Sequence, residues 1–173
     1  MILRVLLSLG LTCLATVGQA QPLENGTSFR DWTLACRAAA VGQTDCVLSQ
    51  VLVTSENQEL VAEVTLAPAQ SGDEKGAVVI VMRVPTGVVL RLRPEFVVLG
   101  QSGGADLEWL TCDERYCTAA RTLDADLVAD LRRGVNARLG YRRMEEETPA
   151  IFDFSLLGVT AGLKALQEAA EVE

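Results

Sequence analysis

Nine residues, Trp109-Leu110-Thr111-Cys112-Asp113-Glu114-Arg115-Tyr116-Cys117, set the tightest limit on what this chain can become. They read as a strand, a tight polar turn and a second strand, with a cysteine on each shoulder of the turn. Cysteines placed across a hairpin come within bridging reach. The stretch therefore implies a hairpin, a crosslink and an oxidising compartment. The other cysteines agree. The chain holds five, and Cys13 lies in a segment with the marks of a secretory signal. Arg4 supplies the positive start, residues 5–17 are mostly apolar, and Gly18-Gln19-Ala20 puts small residues before a cut. Cleavage after Ala20 removes Cys13 and leaves an even set of four: Cys36, Cys46, Cys112 and Cys117. The apolar run is shorter than the about 20 residues of a spanning helix, so no transmembrane segment is expected in the mature chain. Leu11 and Thr12 are a poor approach to a lipid-modified Cys13.

Loss of the signal leaves 14 basic residues against 23 acidic, so the net charge moves from −8 to −9. Such a chain repels the phosphates of nucleic acid and gains nothing from simple adsorption to anionic lipid. The expected organisation is a signal peptide over residues 1–20, a loose leader over 21–28 and a single domain over 29–170. That length suits one core.

The mature chain is mostly period two. Trp32, Leu34 and Cys36 share one face of a strand. A turn over residues 38–44 leads to a returning strand over 46–53. Leu60, Ala62, Val64 and Leu66 face in, against Glu59, Glu63 and Thr65. The apolar run over 77–84, unbroken before Arg83, suits a central strand covered on both faces. Residues 88–93 alternate Leu90 and Leu92 with Arg91 and Arg93, and read as a further strand. Residues 96–99, 135–142 and 151–156 complete the series. One segment changes period: Asp124 caps a short helix through Leu127, Val128 and Leu131, with Arg132, Arg133 and Gly134 at its end. A terminal helix starts at Gly158. Many short strands with turn signals between them predict an all-β sandwich with one inserted helix and a C-terminal helix.

Four cysteines allow three pairings. Crossed pairs would close longer loops and stabilise more in the entropy model. Local pairs, Cys36–Cys46 and Cys112–Cys117, each flank a predicted hairpin turn, and that geometry favours them. The chain has no histidine, which argues against zinc. Acidic Asp113 and Glu114 oppose a reactive thiolate. No metal and no cofactor is expected.

The missing histidine also removes Ser-His-Asp and Cys-His activation. Paired carboxylates remain as a route to glycan hydrolysis. Asp113 with Glu114, the acidic run 145–147 and Asp153 are the candidates. The first two sets lie in exposed turns, and Asp153 reads as an outward strand residue facing an arginine. A binding role rests on a different set. Arg91 and Arg93 share one face, Arg138 and Arg142 another, with Arg143 beside them. On neighbouring strands they would form a basic strip for an anionic glycan or a partner's carboxylates, unless cross-strand acids neutralise them. The hairpin tip, Asp113-Glu114-Arg115, is a second candidate contact.

Several motifs in order resemble one family. Asp31-Trp32-Thr33-Leu34-Ala35-Cys36 and Cys46-Val47-Leu48-Ser49-Gln50 come first. Val84-Pro85-Thr86-Gly87-Val88, Leu110-Thr111-Cys112 with Tyr116-Cys117, the segment 123–134 and Phe154-Ser155-Leu156-Leu157-Gly158 follow. Together they resemble the invasion-associated locus B family over about residues 29–166. The resemblance implies an immunoglobulin-like β-sandwich exported to the periplasm or envelope, or secreted, in alphaproteobacteria. It carries a name tied to host-cell entry and no catalytic residue. It thus implies a non-enzymatic envelope or host-interaction protein with an undefined surface partner. The alternatives are a carboxylate glycan hydrolase and a periplasmic chaperone or assembly factor. Two departures stand out: Val159 where the family has Phe, and the charged turn Asp113-Glu114-Arg115 where it is commonly Gly-rich.

Overall fold

The computed structural model describes residues 23–41, 43–69 and 77–170. The signal segment, Gly42 of the first turn and most of the polar break after Pro68 lie outside them. In chain order the elements are β1 (Ser28–Phe29), β2 (Trp32–Ala40), β3 (Gln43–Val53), β4 (Leu60–Pro68), β5 (Val78–Pro85), β6 (Glu95–Val98), β7 (Gly104–Asp106), β8 (Glu108–Cys112), β9 (Tyr116–Leu123), α1 (Ala125–Arg133), β10 (Asn136–Tyr141), β11 (Ala150–Ser155) and α2 (Val159–Ala170). They build a seven-stranded sheet, β1-β2-β3-β4-β5-β9-β8, and a four-stranded sheet, β11-β10-β6-β7. Every pairing is antiparallel. This is the all-β sandwich with two helices that the alternation predicts.

The two sheets share one core. Trp32, Leu34, Leu48, Ile80 and Met82 come from the larger sheet, and Phe96, Leu139 and Phe154 from the smaller. Trp32 meets Phe154 edge-on, with ring centroids 6.4 Å apart. Aromatic pairs of this geometry add about 0.5–1.5 kcal/mol beyond area burial. α1 begins as its cap requires: the Asp124 carboxylate accepts from the Leu127 N–H at 2.8 Å. Its Leu127, Val128 and Leu131 are buried. Gly134 ends the helix with a φ of −70°, so it is not a left-handed cap. Its use is space, since a Cβ there would lie 2.6 Å from Val98 Cγ1. α2 buries Val159, Leu163 and Leu166. Val159 is wholly inside the core, in the position where the family carries Phe.

Four expectations change. Residues 88–93 are not a strand: Val88 makes one bridge to Arg143, and the chain then turns, with Leu92 N–H donating to Val89 O at 3.0 Å. Leu–Arg alternation fits a strand, but the segment's backbone bonds run to Arg142 and back onto Val89 rather than along a ladder. β5 is central, yet only Val78, Ile80, Met82 and Val84 are buried; Val79 and Val81 are half-buried and Arg83 is exposed. The first hairpin runs further than expected, with Ala40 opposite Gln43. The leader is tied down from Glu24: Cys36 N–H donates to Asn25 Oδ1 at 2.8 Å, and Leu34 N–H to Thr27 O at 2.8 Å.

Candidate functional site

Both predicted disulfides form. Cys36 lies directly opposite Cys46, and Cys112 opposite Cys117, with Cα separations of 4.1 and 4.0 Å. Directly opposed residues on antiparallel strands are this close where they do not exchange backbone hydrogen bonds. The second bridge clamps the hairpin singled out above.

At its tip the three charged residues differ in role. Asp113 is spent on the turn. Its Oδ1 accepts from the Arg115 N–H at 2.8 Å and the Tyr116 N–H at 2.7 Å. Those backbone donors hold its carboxyl below the usual aspartate value, Arg115 more than Tyr116. Arg115 lies over the Tyr116 ring, its guanidinium carbon 5.5 Å from the centroid, within the about 6 Å of a cation–π contact. Arg83 sits 5.0 Å from the same centroid and is also paired with Glu63. Glu114 is exposed, like its two neighbours.

The arginine strip does not assemble. Arg138 on β10 donates to Asp153 on β11, Nε to Oδ1 at 2.6 Å and Nη2 to Oδ2 at 3.0 Å. This bidentate pair lies on the open face of the smaller sheet. Its hydrogen bonds hold Asp153 low and Arg138 charged. Arg93 pairs with Glu108 at 3.2 Å, and Arg143 with Glu146 at 2.7 Å. Arg142 follows the end of β10, where its carbonyl accepts from Val89 N–H at 2.9 Å. Arg91 and Arg142 have no side-chain partner among the described residues. Arg142 lies four residues after Arg138, and Arg91 lies two residues beyond the segment 87–89 that is joined to residues 142–144.

The turn that replaces the expected strand exposes what alternation would have half-hidden. Leu90 is 58% exposed and Leu92 47%. The Trp109 indole N–H donates to Leu92 O at 2.9 Å, fixing the loop against β8. There Leu110 is 64% exposed, at a register shift between Trp109 and Thr111. Exposed Leu90, Leu92 and Leu110 and the stapled hairpin therefore lie by the β8 edge of the larger sheet, with the loop also joined to the segment that carries Arg142.

The opposite feature is a polar clamp. Gln50 is buried among apolar residues on β3. Its Nε2 donates to Asp31 O at 2.9 Å, and its Oε1 accepts from Ser155 N–H at 2.9 Å. Ser155 Oγ donates to Asp31 Oδ2 at 2.5 Å, and Trp32 Nε1 to Ser155 O at 2.9 Å. Gly158 completes it with a φ of +105°; a Cβ there would fall 1.8 Å from Phe29 O. The clamp joins the start of β2, the middle of β3 and the end of β11, and so ties the sheets together. A polar Gln50 in the inward register of Leu48 was the readable signal, since a buried amide needs partners.

Several of the carboxylates considered for hydrolysis are held in ion pairs or in a turn. A glycosidase acid needs a raised pKa and a facing carboxylate, whereas Asp153 is held low by Arg138 on an exposed face. Glu146 is paired to Arg143 in an exposed turn. Among the described residues no cluster of three or more carboxylates or cysteines is arranged to hold a metal ion.

With this geometry in hand, comparison with known proteins is informative. The family model described as invasion associated locus B (IalB) protein matches residues 32–167. The chain belongs to the invasion-associated locus B family. An invasion protein B homolog of Brucella abortus (strain 2308) is 26% identical over 140 residues, covering 81% of this chain and 78% of the relative. A homolog from Brucella abortus biovar 1 (strain 9-941) matches to the same extent. The crystal structure of invasion associated protein b from Bartonella henselae superposes with a TM-score of 0.72 at 19% identity, over 84% of this chain and 97% of that one. That likeness shows the sandwich fold. No helix among the described residues is long and apolar enough to cross a membrane.

Proposed function

We propose that this invasion-associated locus B protein is exported, does no chemistry of its own, and binds an envelope or host-surface partner through the surface built by residues 87–94, Trp109, Leu110 and the stapled hairpin. One observation carries the reading: Leu90 and Leu92 are exposed on either side of Arg91 in a loop pinned by the Trp109 indole, and Leu110, next to Trp109 on β8, is exposed as well. Exposed leucines held in place beside free cations mark an interaction surface more than a solvated turn. Two bridged cysteine pairs support an oxidising compartment, as an exported chain requires. The names of the relatives support invasion as the setting.

The test is binding of the native disulfide-bonded protein to envelopes of its own bacterium and to host cells. The loop variant Leu90→Ser/Arg91→Ser/Leu92→Ser is expected to lose about tenfold in affinity, or about 1.4 kcal/mol, at unchanged thermal stability. The control, Arg138→Ser/Asp153→Ser on the smaller sheet, is expected to bind as the parent does. Equal binding by the loop variant places the contact elsewhere. An assembly-factor role would instead use β8, the last strand of its sheet, as an edge for an extended client. The irregularity at Leu110 interrupts that ladder, as protected edges do.

A further inference from the structure

A strand at the end of a sheet has one side unpaired, and proteins blunt such edges because they template pairing with other chains. Among the described residues the two sheets end in four strands, β1, β8, β11 and β7. Three are blunted. β1 has two residues and β7 three. β8 is broken by the register shift between Trp109 and Thr111. Beyond β1, the outer side of β2 is met by Thr27 and the Asn25 side chain, and its register shifts between Ala38 and Ala40. β11 is different: its six residues pair with β10 without a shift. The Ser155 N–H and C=O turn away from β10, to Gln50 and Trp32. The Leu156 N–H turns back, to Val135 O. Alternation along an antiparallel pair then sends the main-chain groups of Phe152 and Phe154 to β10 and those of Ile151 and Asp153 outward. These two N–H and two C=O groups meet no strand or loop among the described residues. Ile151 is exposed, and Phe152, on the inner face, is half-buried with its ring edge-on to Tyr141.

We propose that β11 takes up an extended segment of another exported polypeptide as an added strand of the smaller sheet. Its open donors and acceptors recur about 7 Å apart along the strand. Another extended main chain matches that spacing, and the bonds so made supply affinity whatever the sequence. The flanking side chains set the preference. An added strand places one side chain beside Phe152 on the inner face, and that position wants an apolar group to finish covering the ring. Its neighbours fall beside Ile151 and Asp153 on the outer face. The Asp153 carboxylate is already held by Arg138, and an acidic side chain facing it would be repelled. The segment recognised is therefore apolar at its inner position and free of acidic residues at its outer ones. A second copy of this chain fits less well. About a two-fold axis that satisfies all four groups, its own β11 would set Ile151 against Asp153 twice. The site is separate from the loop of residues 87–94 and uses main-chain groups rather than exposed leucines.

Amide hydrogen exchange of the native disulfide-bonded protein, read residue by residue, tests this with a synthetic peptide of alternating threonine and valine as the probe. The expected result is exchange slowed about tenfold at Ile151 and Asp153, with Phe152 and Phe154, already bonded to β10, unchanged. The same peptide N-methylated at alternate residues keeps its side chains and loses the donors of its pairing edge; it is expected to protect nothing. Ile151→Pro removes an N–H that β10 does not use, and is expected to abolish protection at Asp153 while near-ultraviolet circular dichroism stays native. Should that variant misfold, the N-methylated peptide carries the test. The loop variant Leu90→Ser/Arg91→Ser/Leu92→Ser is expected to respond as the parent does. Absence of protection up to the solubility limit of the peptide overturns the proposal. So does equal protection by the N-methylated peptide, protection along β8 instead, loss of protection in the loop variant, or protection that rises with protein concentration alone, which would assign the edge to a second copy.

Discussion

Two regions of this sandwich, toward opposite edges of the larger sheet, are built on opposite plans. In one, Asp31, Trp32, Gln50, Ser155 and Gly158 close on each other, with part-buried hydrogen bonds and a glycine where no other residue fits. In the other, Leu90, Leu92 and Leu110 stand in solvent around a pinned loop and a stapled hairpin. The residues that carry the family likeness in three separate motifs converge on the first region. The turn in which this chain departs from its family, Asp113-Glu114-Arg115, lies at the second. The division is not complete: the motifs Val84-Pro85-Thr86-Gly87-Val88 and Leu110-Thr111-Cys112 with Tyr116-Cys117 border the second region, and Val159, the other departure, borders the first.

Substitutions can break that division, the largest effect coming from the clamp. Gly158→Ala adds a Cβ against Phe29 O and strains a left-handed backbone. It is expected to cost about 4 kcal/mol or more, or to prevent folding, as read by urea denaturation. Gln50→Leu leaves the Asp31 carbonyl and the Ser155 N–H unpaired in the interior, and should cost about 2–4 kcal/mol by the same measurement. Neither change is expected to alter binding per folded molecule. Removing the hairpin staple, Cys112→Ser/Cys117→Ser, should cost about 2 kcal/mol in a thermal melt, less than the clamp, because the closed loop is short.

The smallest effect sharpens the role of the tip. Asp113 and Asp153 are both held below the usual value of 3.8 in the folded state. A carboxyl lowered on folding contributes stability that is complete above its unfolded pKa and is lost as pH falls through its folded one. Acid unfolding should therefore deepen below about pH 4. Asp113→Asn should flatten that dependence while leaving stability at neutral pH little changed, because the amide oxygen can still accept from Arg115 and Tyr116. A variant with the parent's full acid dependence would show that Asp113 does not hold the turn.

Much of the scaffold was legible because its signals are local. Cysteines across short turns, Asp124 three residues before the Leu127 N–H, and inward Leu34, Leu48 and Val64 all act within one element or one hairpin. The candidate surface was less so. Alternating Leu and Arg over residues 88–93 match a strand by period, yet where they lie depends on β10 and on Trp109, which are distant in sequence. The arginines were the right residue type in the wrong grouping. Arg138 faces Asp153 because β11 pairs with β10, and only the topology shows that. Gln50 was visible as a polar residue in an apolar register, but its partners come from both ends of the chain.

The most direct measurement reads binding and stability on the same samples. The loop variant Leu90→Ser/Arg91→Ser/Leu92→Ser and the clamp variant Gln50→Leu would each be assayed for envelope binding and for melting temperature. The account predicts a crossed result: the loop variant loses about tenfold in binding at an unchanged melting temperature, and the clamp variant melts lower yet binds undiminished while folded. Loss of both properties together in each variant, or binding retained by the loop variant, would contradict the division between scaffold and surface.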